Sequence, residues 1–101
     1  MPNTSRNSAR RLEWSALADR NLFDAWLYIY QDNPAAADSV AKRIHQAAGR
    51  LQKFPLNGKL SGFHQTRALP VAKTQFTLYY RVTAKTVVIV RLVHQRRNFP
   101  K

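Results

Sequence analysis

Four arginines and a histidine fall inside or just beyond the most apolar stretch of the chain. Arg81 sits in the run TQFTLYYRV, Arg91 and His94 in TVVIVRLVH, and Arg96 and Arg97 follow at once. A guanidinium presents a planar fork that binds phosphate or carboxylate oxygens in pairs, so arginines set among core-forming residues point to an anionic target. His94 is the one group of the terminal strand and tail that titrates near neutral pH. It reads either as a general acid/base or target contact, or as a histidine that hydrogen-bonds the backbone and pins the tail. Arg67, Lys73 and Tyr79 lie on the neighbouring segments. The expected target-binding surface is therefore Arg67, Lys73, Tyr79, Arg81, Arg91, His94, Arg96 and Arg97, a basic concavity edged with aromatic rings.

The elements that must hold these residues are legible from periodicity. Phe76, Leu78, Tyr80 and Val82 alternate with Thr77, Tyr79 and Arg81, the pattern of a half-buried strand. Val87, Val88, Ile89, Val90, Leu92 and Val93 are apolar on both faces, which suits a central strand. Arg91 interrupts that run and is expected on the open face or at the rim. Thr66 to Val71 reads as a short strand, confined to an edge by Pro70, which cannot donate to a ladder. Arg10 to Trp14 reads as a short first strand.

Between them lie two helices. Ser15 is a good N-cap, and Ala18, Leu22, Ala25, Trp26 and Ile29 recur at spacings of three and four. Leu17, Phe23, Leu27 and Tyr30 widen that apolar surface, so the helix is expected to be covered on more than one side. Asn33 caps a second helix with Pro34 at its first position. Its stripe runs through Ala37, Val40, Ala41, Ile44, Ala47, Ala48 and Leu51 to Phe54, and Pro55 stops it. Leu56 to Gln65 reads as a loop, with a turn at Asn57-Gly58. The expected fold is α+β, in the order β-α-α-β-β-β. The sheet is largely antiparallel, and a helical hairpin packs on one face. Ile44, Leu51, Leu78 and Val90 are expected to be buried together. Residues 1–9 read as a flexible arm and 10–101 as one domain.

Charge narrows the function. The chain has 101 residues, with 17 Lys and Arg against 5 Asp and Glu, a net charge of +12. Such a field draws polyanions or an acidic protein. All the carboxylates lie between Glu13 and Asp38, and none follows from Ser39 to Lys101. Paired-carboxylate catalysis and two-metal nuclease chemistry are thereby excluded from the C-terminal half. There is no cysteine, hence no disulfide and no thiolate site. His45, His64 and His94 are too scattered for zinc. No phosphate-cradling glycine loop and no nucleophile elbow is present, so neither a metal nor a cofactor is expected. No apolar run reaches the roughly 18 residues of a membrane span, and a soluble cytoplasmic protein is expected.

Several segments, in order, carry a resemblance. They are WSALAD at Trp14 to Asp19, AAADSV at Ala35 to Val40, LQKFPLNGK at Leu51 to Lys59, TRALPV at Thr66 to Val71, YYRV at Tyr79 to Val82, and VVIVRLVHQRR at Val87 to Arg97. Together they resemble the RelE/ParE superfamily of bacterial type II toxins. The resemblance implies a toxin held inactive in a hetero-oligomer by a cognate, acidic-tailed antitoxin encoded beside it. RelE-like members cut mRNA on the ribosome without metal; here that chemistry would use Arg81, His94 and Arg97. ParE-like members poison DNA gyrase and are not known as hydrolases. The nucleases usually carry an arginine three residues before the tyrosine of the third strand, where this chain has Thr77. They also tend to carry a tail tyrosine, and this chain has none after Tyr80. The ending His94-Gln95-Arg96-Arg97 looks like the ParE side, so gyrase is the expected target and ribosome-bound mRNA the alternative.

Overall fold

A computed structural model of the chain describes residues 10–96; the expected arm at 1–9 and Arg97 lie outside the described residues. Five strands and two helices follow in the order β1 (Arg11–Trp14), α1 (Ala16–Tyr30), α2 (Pro34–Arg50), β2 (Lys59–Leu60), β3 (Arg67–Pro70), β4 (Phe76–Val82) and β5 (Thr86–His94). The sheet order is β1-β5-β4-β3-β2, with β1 parallel to β5 and every other pair antiparallel. The two helices form a hairpin, and α1 lies along β5. The fold is the expected α+β arrangement.

Ser15 turns the chain from sheet to helix. Its Oγ accepts from the Ala18 backbone N–H at 3.0 Å, the N-cap bond. The same hydroxyl donates to the Val90 carbonyl at 2.8 Å, and the Ser15 N–H donates to the Ile89 carbonyl at 2.9 Å. β1 pairs with β5 only as far as Trp14 opposite Ile89, so beyond that point the start of α1 takes over the ladder. Asn21 completes it. Its side-chain oxygen, buried on the inner face of α1, accepts from the Leu92 N–H at 3.1 Å. A polar residue in the core is tolerated because it satisfies a backbone donor that no strand reaches. Asn33 repeats the N-cap on α2, accepting from Ala36 N–H at 3.1 Å, with Pro34 at the first turn.

The core lies between hairpin and sheet. Ile44, Leu51, Leu78, Tyr80, Val87, Ile89 and Leu92 are all buried. Val90 is only half-buried and does not join Ile44, Leu51 and Leu78 as expected. Val90 follows the buried Ile89 and so takes the outward phase of the strand; it is also the extra residue of a bulge, since Tyr79 stands opposite Arg91 but Tyr80 opposite Ile89.

Three further expectations are corrected. α2 ends at Arg50 with Leu51 as its cap, so the buried stripe stops there and Phe54 is exposed. The supposed loop between Leu56 and Gln65 contains β2, two residues paired with Ala68 and Arg67. The outer face of α1 is not covered: Leu17, Phe23, Leu27 and Tyr30 are all exposed among the described residues.

One buried latch fixes the approach to β3. The Tyr80 hydroxyl donates to the Pro55 carbonyl and accepts from the Gly58 N–H, both at 2.7 Å. A Cβ on Gly58 would stand 2.6 Å from that hydroxyl and 2.9 Å from the Ala68 carbonyl oxygen, so only glycine fits the approach. Arg67 Nη1 donates to the Gly58 carbonyl at 2.8 Å. Burial raises the Tyr80 phenol above its ordinary value, against the opposing pull of the Gly58 hydrogen bond and the Arg67 charge.

Candidate functional site

The sheet sorts the sequence-derived residues onto different surfaces. Because Phe76, Leu78 and Tyr80 face the hairpin, Thr77, Tyr79 and Arg81 face away from it. Their register partners share that open face: Val93 beside Thr77, Arg91 beside Tyr79, Val88 beside Arg81. Regular alternation from Val87 and Ile89 would have turned Arg91 into the core. The Val90 bulge reverses the phase, sending Leu92 inward and Arg91 outward.

Tyr79, Arg81 and Arg91 are thus brought together, and a loop closes over them. Phe63 stands above the Arg91 guanidinium, with Cζ 5.9 Å from the ring centroid, a cation–π distance. The same ring meets Tyr79 edge-on at 6.5 Å and His64 at 4.4 Å. Ser61, Phe63, Tyr79, Arg91 and Val93 enclose a cavity of about 280 Å³.

The loop holds this shape by local hydrogen bonds and strained backbone. The Thr66 hydroxyl, fully buried, donates to the Phe63 carbonyl at 2.6 Å and lies 2.6 Å from Ser61 Oγ. The hydroxyl of Thr66 has one proton, so Ser61 is the donor in the second contact. The Thr66 N–H also reaches the Phe63 carbonyl, at 2.9 Å. Gly62, His64 and Gln65 all take positive φ, at 76°, 48° and 59°. Two non-glycine residues in that region cost roughly 1–2 kcal/mol each, and such strain recurs where a loop is committed to a binding geometry. Arg81 helps: its Nε donates to the His64 carbonyl at 3.0 Å.

The remaining candidates lie elsewhere. Arg67 pairs with Tyr80, on the helix side, and its guanidinium is spent on Gly58. His94 pairs with Phe76 on the helix side, its ring edge-on to that phenyl at 5.0 Å. With Lys73 it lines a separate cleft of about 380 Å³ between the helices and the β3–β4 turn. Lys73 occupies that turn at φ 64°. Arg96 is exposed beyond β5, with its N–H on His94 Nδ1 at 3.0 Å. A backbone bond to the His94 ring is the kind of contact that the tail-pinning reading of His94 requires. The single basic concavity expected from the sequence is therefore two surfaces, divided by the sheet. Phe63 and Ser61 were not singled out from the sequence, because a loop residue without periodicity gives no sign of the strand residue it covers.

Chemically, the open face offers cations, aromatic rings and hydroxyls. No cluster of metal-ligating side chains exists among the described residues. No described helix is long and apolar enough to cross a membrane.

A family model described as the ParE toxin of the type II toxin-antitoxin system parDE matches residues 12–99. A putative toxin, Y4kP, from Sinorhizobium fredii is 31% identical over 94 residues, covering 93% of this chain and 97% of the relative. Among solved structures, the chromosomal ParDE system from P. aeruginosa is similar with a TM-score of 0.76 at 22% identity, covering 83% of this chain and 94% of that one. The RelBE2 toxin-antitoxin complex from Mycobacterium tuberculosis is similar with a TM-score of 0.57 at 23% identity, covering 88% and 94%.

Proposed function

The chain belongs to the ParE family of type II toxin-antitoxin toxins, and from that premise we propose that it arrests growth by poisoning DNA gyrase in the cytoplasm while a cognate antitoxin holds it inactive. The observation that carries the choice of target is the placement of His94. Metal-free RNA cleavage needs a proton acceptor, a proton donor and cations around one phosphate. Here Arg81 shares the open face with Val88 while His94 shares the helix side with Phe76. The sheet stands between them. Thr77, in the position where the nucleases usually carry an arginine, receives Gln95 Nε2 at 3.3 Å instead. These features favour a toxin that acts by binding. The likeness to the RelBE2 complex is one of fold.

The antitoxin reading is supported by the two structural relatives, a ParDE system and a RelBE2 toxin-antitoxin complex, and by the charge of +12. An acidic segment, disordered when free, suits such a surface because it can wrap a large area as it folds. The working surface toward gyrase is the open face with Tyr79, Arg81 and Arg91. Pulse labelling of induced cells tests the target. DNA synthesis should fall and a DNA-damage response should rise before protein synthesis declines. Arrest of protein synthesis first would favour the ribosome instead.

A further inference from the structure

Arg91 stands on the open face with one of its donors unmade. Its Nε is buried and has no hydrogen-bond partner. A buried cationic N–H left unmade is costly, more so than a neutral one. Among the described residues no counter-ion lies nearby. The chain's carboxylates ride on β1, the two helices and the turn between them, and the one ion pair among the described residues joins Arg11 to Glu13 at 3.9 Å. Arg91 instead borders the open cavity beneath Phe63. An anion from outside is what its geometry lacks.

We propose that this pocket receives one carboxylate side chain, Glu or Asp, from an acidic segment of the protein that neutralises the toxin. The proposal rests on the antitoxin reading above and gives that partner a specific contact. A carboxylate is planar and rides on a short apolar stem. It can pass the Phe63 and Val93 walls and meet a guanidinium edge with two parallel N–H···O bonds. A polynucleotide would need a row of cations along its backbone. Among the described residues the pocket's one cation is Arg91; neighbouring Arg81 has its Nε on the His64 carbonyl, and Lys73 lies in the other cleft. Phe63 lies over the guanidinium, with Cζ 5.9 Å from the ring centroid, and a contact of that kind leaves less side-chain freedom to lose on binding. Because the same face is the proposed target-binding surface, a carboxylate seated there blocks it directly.

Nitrogen-15 spectra of the full chain report arginine Nε–Hε groups one by one and test this contact. The probes are a capped Gly-Glu-Gly peptide, its Gly-Gln-Gly counterpart, inorganic phosphate and oligothymidylate. The glutamyl peptide should move the Arg91 Hε downfield and saturate, the glutaminyl peptide should not, and phosphate, which pairs with the fork but has no apolar stem to lie against Phe63 and Val93, should bind about tenfold more weakly. Arg91→Lys keeps the charge but loses the fork, and should weaken the glutamyl peptide about tenfold. An unmoved Arg91 Hε, or a lysine variant that binds equally well, would overturn the proposal. Oligothymidylate acting at lower concentration than the peptide would overturn it in favour of nucleic acid. Should the lysine variant not fold, the titration of the unaltered chain still decides. Failure here leaves growth arrest and its relief by an antitoxin untouched, whereas absence of growth arrest would remove the functional reading and leave the titration standing.

Discussion

Tyr79 and Arg91 face each other across β4 and β5, on the side of the sheet away from the helices, although Arg91 has the same parity as the buried Val87 and Ile89. Val90, the extra residue of the bulge, makes this possible. The same insertion puts Leu92 into the core and directs its N–H to Asn21. One irregular residue thus sets both the packing of α1 and the presence of a cation on the open face.

Asn21 should be the polar residue whose loss is felt most in the helix–sheet contact. Asn21→Ala leaves the buried Leu92 N–H without an acceptor, and should cost about 1–3 kcal/mol in urea unfolding. Hydrogen exchange at the Leu92 amide should accelerate with it. Asn21→Asp keeps an acceptor and should exchange more slowly than the alanine variant. Equal exchange in both would mean that the side-chain bond does not protect that amide.

The core phase is checked by contrast. Leu51→Ala removes a fully buried side chain and should cost about 2–5 kcal/mol. Val90→Ala, at a half-buried bulge position, should cost about 1 kcal/mol or less. A reversal of that order in chemical denaturation would place Val90 in the core and erase the bulge.

Most of the framework was legible because it obeys local rules. Ser15 and Asn33 cap helices with the next hydrophobic stripe in view, and Phe76 to Val82 alternates strictly. What escaped was non-local. Val87 to Val93 is apolar at both parities, so nothing in the run marks Val90 as the extra residue or settles the face of Arg91. Asn21 sits among apolar neighbours and becomes intelligible only when β1 is seen to stop short of Leu92. β2 is too short to show a period. Arg67 looked like a free cation because the phase of a four-residue strand could not be told from sequence, and Phe63 was missed because loops carry no period at all.

The latch should behave as a unit. Tyr80→Phe strips the partner from Gly58 N–H and from the Pro55 carbonyl, and should cost about 1–3 kcal/mol. Gly58→Ala, with its Cβ 2.6 Å from the Tyr80 hydroxyl, should cost about 1–3 kcal/mol by overpacking. The double variant should lose less than the sum, because removing the hydroxyl makes room for the methyl group. Strict additivity would show that the two do not touch.

The Tyr80 phenol also predicts the alkaline limit of stability. Its value is raised in the folded chain above the ordinary 10.0, first by burial. The neutral phenol is therefore favoured by folding. Its contribution is fully present below the unfolded value and is lost as pH rises from there through the folded value. Stability should fall above about pH 10, and phenolate absorbance should show one tyrosine ionising late. Tyr80→Phe should flatten that part of the stability profile. An unchanged slope would assign the alkaline loss to other groups.

Purified toxin incubated with gyrase, supercoiled plasmid and ATP tests the central claim most directly. Cleaved DNA should accumulate, trapped on the enzyme, and Arg81→Ala should lower its amount without unfolding the protein. In a parallel reaction, translating ribosomes given the same toxin should show no new codon-phased breaks in the message. Intact plasmid together with phased mRNA breaks would contradict the account and make the ribosome the target.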